Sequence, residues 1–495
     1  MSLPDWAGSA GIVGSLVFLA GIVVNVVAIG AIPGNRKPST GMAWLLAVLL
    51  LPGVGIVAFL FFGSTHIGSR RQKRLREATG AIADAVAALP EQLPPAGSPP
   101  YVTAVSRLNL RNGSLPLLLG NRAEVVTDYA GSIALMAEEV ERAERFVHVE
   151  FYITAWDEVT DVLLSAMAAA ADRGVAVRLL LDHVGSRRLD GYRDLVRRLD
   201  ASGIEWRAML PIQPLRRRWR RPDLRNHRKL LVVDGRVGFM GSQNLTEPCY
   251  HKPRNRARGR EWVELMVRLH GPVVHELEAV FVSDWYTETA EVLDAGTQWV
   301  PDAHGVAAEA VGDVPAQVVP SGPGFVTENN LRMFTSLIYG ATHRVSLTSP
   351  YFVPDESLLY AVTTAAQRGV AVELFVSEVS DQFMVGHAQA SYYHALLEAG
   401  VRIYLYPEPY VLHAKHFTID DDVAVIGSSN MDMRSFSLNY EISLMLLGEP
   451  VVARLREVED TYRGLSRELL ADEWDRRPAR LKYVDNVMRL TSALQ

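Results

Sequence analysis

Two stretches of this chain carry the same spaced set of reactive side chains. Residues 226–244, NHRKLLVVDGRVGFMGSQN, hold His227, Lys229, Asp234, Ser242 and Asn244; residues 412–430, LHAKHFTIDDDVAVIGSSN, hold His413, Lys415, Asp420, Ser428 and Asn430. His and Lys two apart on a strand point to the same face, so an imidazole and an ammonium can meet one phosphate together. Each Asp lies five extended residues beyond its Lys, displaced by about 17 Å, so it is expected to shape the turn after the strand rather than touch a substrate. The returning strand would bring Ser242 and Asn244, or Ser428 and Asn430, back beside the His-Lys pair, where a hydroxyl and an amide can hold phosphate oxygens. A histidine that attacks phosphorus must offer one unprotonated ring nitrogen, which requires an acceptor for the proton on the other. Glu264 in EWVELMV and Glu441 in LNYEISLML interrupt apolar strands at similar distances beyond the two motifs. An unpaired carboxylate there is costly, so both are expected to orient a histidine.

The elements that must position these groups repeat as well. AAAADRGVAVRLLLD (168–182) parallels TTAAQRGVAVELFVS (363–377), each a helix ending at Arg-Gly and running into an apolar strand. A strand-like run precedes each helix, at Arg145 to Ile153 and Arg344 to Phe352. The pattern predicts two α/β units in βαβ order, a largely parallel sheet in each, sitting side by side. Ahead of them, Ala10 to Ile32 and Gly41 to Phe62 lack charged side chains and are each long enough to span a bilayer. The first has no basic n-region, Asp5 being its only flanking charge, which argues against a cleaved signal peptide. Arg36 and Lys37 lie between the two, while Arg70, Arg71, Lys73, Arg74 and Arg76 follow, so the C-terminal bulk is expected on the cytoplasmic side, with that run near anionic headgroups. The expected plan is a membrane hairpin over 1–76, a Pro-rich linker over 77–100, and α/β domains over 101–300 and 301–495.

Composition narrows the function. With 50 Lys plus Arg against 56 Asp plus Glu, the net charge of -6 gives no global attraction for a polyanion, so a nucleic-acid partner is not expected. Cys249 is the one cysteine, so no disulfide or thiolate cluster forms within the chain. His251, His387 and His394 lack metal-ligand spacing and no Gly-rich nucleotide loop occurs, so neither a metal nor a cofactor is expected; the glycines of PSGPGF read as a turn. Arg216, Arg217, Arg218, Arg220 and Arg221 form a basic loop before His227 that suits either solvent or anionic lipid.

The duplicated His-x-Lys-x4-Asp with Gly-Ser-x-Asn resembles the phospholipase D superfamily. The segments PSTGMAWLLAVLLLPGVGIVAFLFFG, GSQNLTEPCY, SDWYTET, PSGPGF, SPYFVPDESLLYAVTTAAQRGVAVEL and NMDMRSFSLNYEISLML extend the resemblance, over nearly the whole chain, to bacterial cardiolipin synthases. It implies two phospholipase D-like α/β domains with mixed sheets flanked by helices, sharing one active site. It further implies that one histidine carries a phosphatidyl group while the other moves protons, joining two phosphatidylglycerols into cardiolipin and glycerol at the bacterial inner membrane. Gly63-Ser64-Thr65 departs from the family's acidic residue after the hairpin glycine. A hydrolytic phospholipase D, or a transferase using another alcohol or donor lipid, shares the same motifs, and the choice of nucleophilic histidine and a homodimer stay open.

Overall fold

The computed structural model describes residues 19, 21–34, 38–63, 67–87, 91–212, 221–293, 311–326 and 328–492. The chain divides into two compact units, Met1–His66 and Ile67–Gln495.

In the first unit the second apolar stretch is two helices, Pro38–Leu50 and Pro52–Phe62, broken where Leu51 leaves helical geometry at φ -131 and ψ 67. Proline at 52 has no N–H to continue the ladder of the first helix. The two fold onto each other: a Cβ on Gly55 would stand 2.2 Å from the Ala47 carbonyl oxygen, so only glycine fits. At 1.5 Å per residue each is about 20 Å long or less, against about 30 Å of hydrocarbon. No described helix is long and apolar enough to cross a membrane. Over the expected span 41–62 the described residues thus form a broken pair of helices, while residues 10–18 and 20 of the first expected span, with Arg36 and Lys37, lie outside the described residues.

The second unit is built on one sheet. Its strands are β1 (Leu118–Val126), β2 (Phe146–Phe151), β3 (Ala176–Asp182), β4 (Glu205–Met209), β5 (Lys229–Val233), β6 (Val237–Gly241), β7 (Trp262–Val263) and β8 (Met266–His270) from the first repeat. The second supplies β9 (Val314–Ser321), β10 (Arg344–Thr348), β11 (Phe352–Val353), β12 (Ala371–Ser377), β13 (Arg402–Tyr406), β14 (Val411–Leu412), β15 (His416–Ile419), β16 (Val423–Gly427), β17 (Met431–Asp432), β18 (Glu441–Leu447) and β19 (Arg467–Leu469). Fifteen of these join in the order β19-β13-β12-β10-β15-β16-β18-β9-β1-β8-β6-β5-β2-β3-β4. Apart from β19 the order reads alike from either end to the β1–β9 seam, so the repeats share a continuous sheet rather than standing as separate sheets.

The largely parallel expectation is corrected. Within the fifteen-stranded sheet only β2–β3–β4 and β10–β12–β13 run parallel; β5, β6 and β8, like β15, β16 and β18, are antiparallel meanders. The reason is the tight turn at Asp234-Gly235 and at Asp420-Asp421, which returns the chain directly beside the strand it left. Strands β2, β5, β6, β15, β16 and β18 are buried at every position, because helices and loops cover both faces.

The helix Ser69–Ala87 crosses residue 76, where the hairpin region was expected to end and a linker to begin. It packs on the helix Val273–Thr289, and Arg71 is 4% exposed, ion-paired with Glu288, with its guanidinium 5.3 Å from the Tyr440 ring. Arg71 is thus an interior anchor and not a headgroup contact.

Candidate active site

Both motif aspartates are turn builders. Asp234 takes a positive φ of 55° and its carboxylate accepts from the backbone N–H groups of Glu144, Arg145 and Phe146 at 2.8–2.9 Å. Asp420, at φ 48°, does the same for Thr342, His343 and Arg344, and also accepts from the Thr342 hydroxyl. Each thereby ties the turn of the motif hairpin to the start of the neighbouring strand, β2 or β10. Despite its burial, Asp420 is held below the usual carboxylate range by these N–H donors.

The histidines are joined across the repeats. In the first motif the segment before the histidine runs parallel to the one before Glu441: Tyr440 N–H donates to Arg225 and His227 N–H to Tyr440. In the second motif β14 runs parallel to β7, and His413 N–H donates to Val263 at 2.8 Å. Each histidine consequently meets the glutamate of the other repeat. His227 Nδ1 lies 3.0 Å from both carboxylate oxygens of Glu441, and His413 Nδ1 lies 2.6 Å from Glu264 Oε1. A ring nitrogen facing a carboxylate carries the proton, which leaves each Nε2 with a free lone pair.

The serines are engaged elsewhere than expected. Ser242 Oγ donates to Glu264 at 2.6 Å and accepts from Leu265 N–H, while Ser428 Oγ donates to Glu441 at 2.5 Å and accepts from Ile442 N–H. Their hydroxyls lock the glutamates, which corrects the reading of Ser242 and Ser428 as phosphate donors. Asn244 donates to the Tyr250 hydroxyl at 2.8 Å, and that hydroxyl donates to Glu264 at 3.2 Å. Asn430 donates to Asp432 at 3.1 Å, and its own side-chain oxygen is buried without a partner. The Gly-Ser-x-Asn segments thus support the catalytic groups from behind.

Burial governs the charges. It lowers the His227 imidazole to about 4, with Lys229 and Lys415 adding to the effect and Glu441 opposing it. His413 is driven well below its ordinary value by burial, then by Lys415, Lys229 and His227. The crossed histidine-glutamate pairs bring both motifs to a single site. Lys229 is likewise pushed well down by burial and Lys415 to about 8, each donating to the backbone oxygen of its own histidine at 2.6 and 2.5 Å. Lys415 Nζ also lies 3.0 Å from His413 Nδ1, but a nitrogen that donates to Glu264 cannot accept from an ammonium. The two acids differ: burial raises Glu264 to about 7, whereas His227, Lys229 and Ser428 hold Glu441 below the usual range against its burial.

Further residues frame the cleft without having been singled out by spacing. Asp182, fully buried at the end of β3, accepts from Asn226 N–H at 3.0 Å and pairs with Arg225 at 3.2 Å, fixing the approach to His227. Ser377 ends β12 in the matching place and accepts from Leu412 N–H at 2.8 Å, just before His413. These are the last residues of the two repeated 15-residue units, a position where α/β folds collect site groups, and that was the available signal. Tyr152 meets His227 edge-on at 5.0 Å and Tyr351 meets His413 at 6.3 Å. Of the basic loop, only Arg221 is described, paired with Asp223 at 2.6 Å; Arg216, Arg217, Arg218 and Arg220 lie outside the described residues.

Comparison with known proteins gives consistent relatives. The family described as "Cardiolipin synthase, PLD-like domain" matches residues 136–285 and 334–460, and the one described as "Phospholipase D-nuclease N-terminal" matches 22–64. The chain is 33% identical to Cardiolipin synthase A of Pectobacterium carotovorum, over 97% of this chain and 98% of that protein. It is 33% identical to Cardiolipin synthase A of Yersinia pseudotuberculosis over 94% of each. Among solved structures, the phosphatidylserine synthase of Haemophilus influenzae shares the fold, with a TM-score of 0.59 at 14% identity, covering 79% of this chain and 99% of that one.

Proposed function

This chain belongs to the phospholipase D-like cardiolipin synthase family, and from that premise we propose that it transfers a phosphatidyl group from one phosphatidylglycerol to another, forming cardiolipin and releasing glycerol. The observation that carries the reading is the crossed pairing of His227 with Glu441 and His413 with Glu264. It gives one cleft two imidazoles whose Nδ1 protons are held by carboxylates. One Nε2 attacks phosphorus, so that a P–N bond forms as the P–O bond to glycerol breaks, and the second imidazole, which enters this step protonated on both nitrogens beside the anionic phosphodiester, gives its Nε2 proton to the departing oxygen. The second imidazole then takes the proton from a glycerol hydroxyl of the next phosphatidylglycerol; that oxygen bonds to phosphorus and the P–N bond breaks. Lys229 and Lys415, whose charged forms burial disfavours, are held in that form beside the phosphate and stabilise the crowded oxygens of the transition state. Asp234 and Asp420 act through the hairpins they fix. Water competes with the acceptor alcohol, so a site held against a lipid surface favours transfer over hydrolysis.

The apolar residues before Phe62 and the basic residues after Gly68 support placement at the bacterial inner membrane, with the catalytic unit on the cytoplasmic side, where phosphatidylglycerol and other anionic lipids are the partners. The test is lipid mass spectrometry on the purified full-length protein in vesicles of phosphatidylglycerol alone. Cardiolipin plus glycerol, with neither formed by His227→Ala, is the expected result. Phosphatidic acid as the sole product would make the chain a hydrolase.

A further inference from the structure

A groove of about 960 Å³ lies apart from the reacting groups, walled by the helices Ser69–Ala87, Pro100–Arg111 and Val273–Thr289 and by the 320–326 loop. Arg228 lines it, and in the extended segment 227–229 the side chain of Arg228 points away from those of His227 and Lys229, so the groove is on the far side from the cleft. Its volume suits a small-molecule or lipid ligand.

Two features define what would fit. The interior is apolar, with Val86, Leu115 and Val280 on its walls, and small residues keep it open: along the first helix Gly80, Ala83 and Ala87 recur on the lining face, and a Cβ on Gly80 would meet nothing within 4 Å. At the rim stand Arg76, Arg107 and Arg111; among the described residues Arg76 and Arg111 have no ion-pair partner, and Arg107 has only the half-exposed Glu91 at 2.8 Å. An apolar trough with a cationic rim is complementary to an anionic glycerophospholipid. The wall helix begins at Ser69, close in sequence after the apolar helix that ends at Phe62.

We propose that this groove binds one acyl chain of an anionic phospholipid, with its phosphate at the Arg76, Arg107 and Arg111 rim, as a lipid distinct from the one that reacts at His227 and His413. The site goes beyond the proposed reaction and does not depend on it. It is tested by photolabelling the full-length protein in vesicles that contain a phosphatidylglycerol analogue with a diazirine at the end of an acyl chain, followed by mapping of the labelled peptides. Label is expected around Ala83 and Val86 and over residues 110–115, in the native chain and in His227→Gln alike. Ala83→Trp, and separately Gly80→Leu, fill the space and should cut that label about tenfold while label on residues 1–66 is unchanged. Label confined to residues 1–66, groove label indifferent to both substitutions, or equal groove label from a zwitterionic phosphatidylcholine analogue would each overturn the proposal. Failure of the native protein to make cardiolipin would bear on the reaction alone.

Discussion

At the scale of single residues, the site works because each imidazole is held by a carboxylate from the opposite repeat. Glu441→Gln and Glu264→Gln keep the size of the side chain but turn a charged acceptor into an amide, so each should lower kcat by about 10²-fold or more with KM little changed. Steady-state kinetics on the two variants checks this, and near-normal kcat in either would break the link between that acid and its histidine. That the two His-Lys pairs belong together was legible, because the same spacing occurs twice. Which glutamate serves which histidine was not, since separation along the chain carries no information about pairing between repeats. The serines were misread for a related reason: a hydroxyl beside a phosphate site and one beside a carboxylate look the same in sequence.

Titration belongs to this scale too. His227 has a folded value of about 4 against an ordinary 6.5, so between those values the unfolded chain binds the proton and the folded chain does not. Stability from this group is therefore complete above about pH 6.5 and is lost as pH falls toward 4. The melting temperature should drop between pH 7 and pH 5, and His227→Gln should show a smaller drop over the same interval; an identical drop would assign the acid sensitivity to other groups.

At the scale of elements, the motif hairpins are positioned by aspartates that never reach the cleft. Asp234→Asn replaces a charged acceptor of three backbone N–H bonds with a neutral one, and a loss of about 1–3 kcal/mol in stability is expected, with turnover of the folded fraction within about threefold of the native value. Thermal melts and active-site-normalised rates separate the two effects. Retained stability with lost turnover would give the carboxylate a chemical role. The turn role of Asp-Gly and Asp-Asp was readable from residue types, whereas the antiparallel meanders that follow from those turns were hidden behind the stronger βαβ repeat. The helix Ser69–Ala87 was missed because its run of basic residues looked like headgroup contacts; nothing in the sequence marks Arg71 as the one that turns inward to Glu288.

At the scale of the whole molecule, the β1–β9 seam makes the repeats one body, and the crossed pairs make them one site. Neither repeat supplies the carboxylate that pairs with its own motif histidine. A chain covering residues 67–310 alone should show no transfer, and it should aggregate, since β1 would present an unpaired edge where β9 belongs. Measurable transfer by that fragment, monomeric in solution, would show that a single motif suffices.

The central claim is a covalent exchange at histidine in a shared cleft. The most direct measurement mixes full-length protein with phosphatidylglycerol labelled with ³²P, quenches within the first turnover under alkaline conditions, and maps any protein-bound phosphorus by mass spectrometry. The account predicts label on His227 or His413, chased into cardiolipin when unlabelled phosphatidylglycerol is added. Cardiolipin appearing with no label on either histidine, at every time sampled, would contradict it.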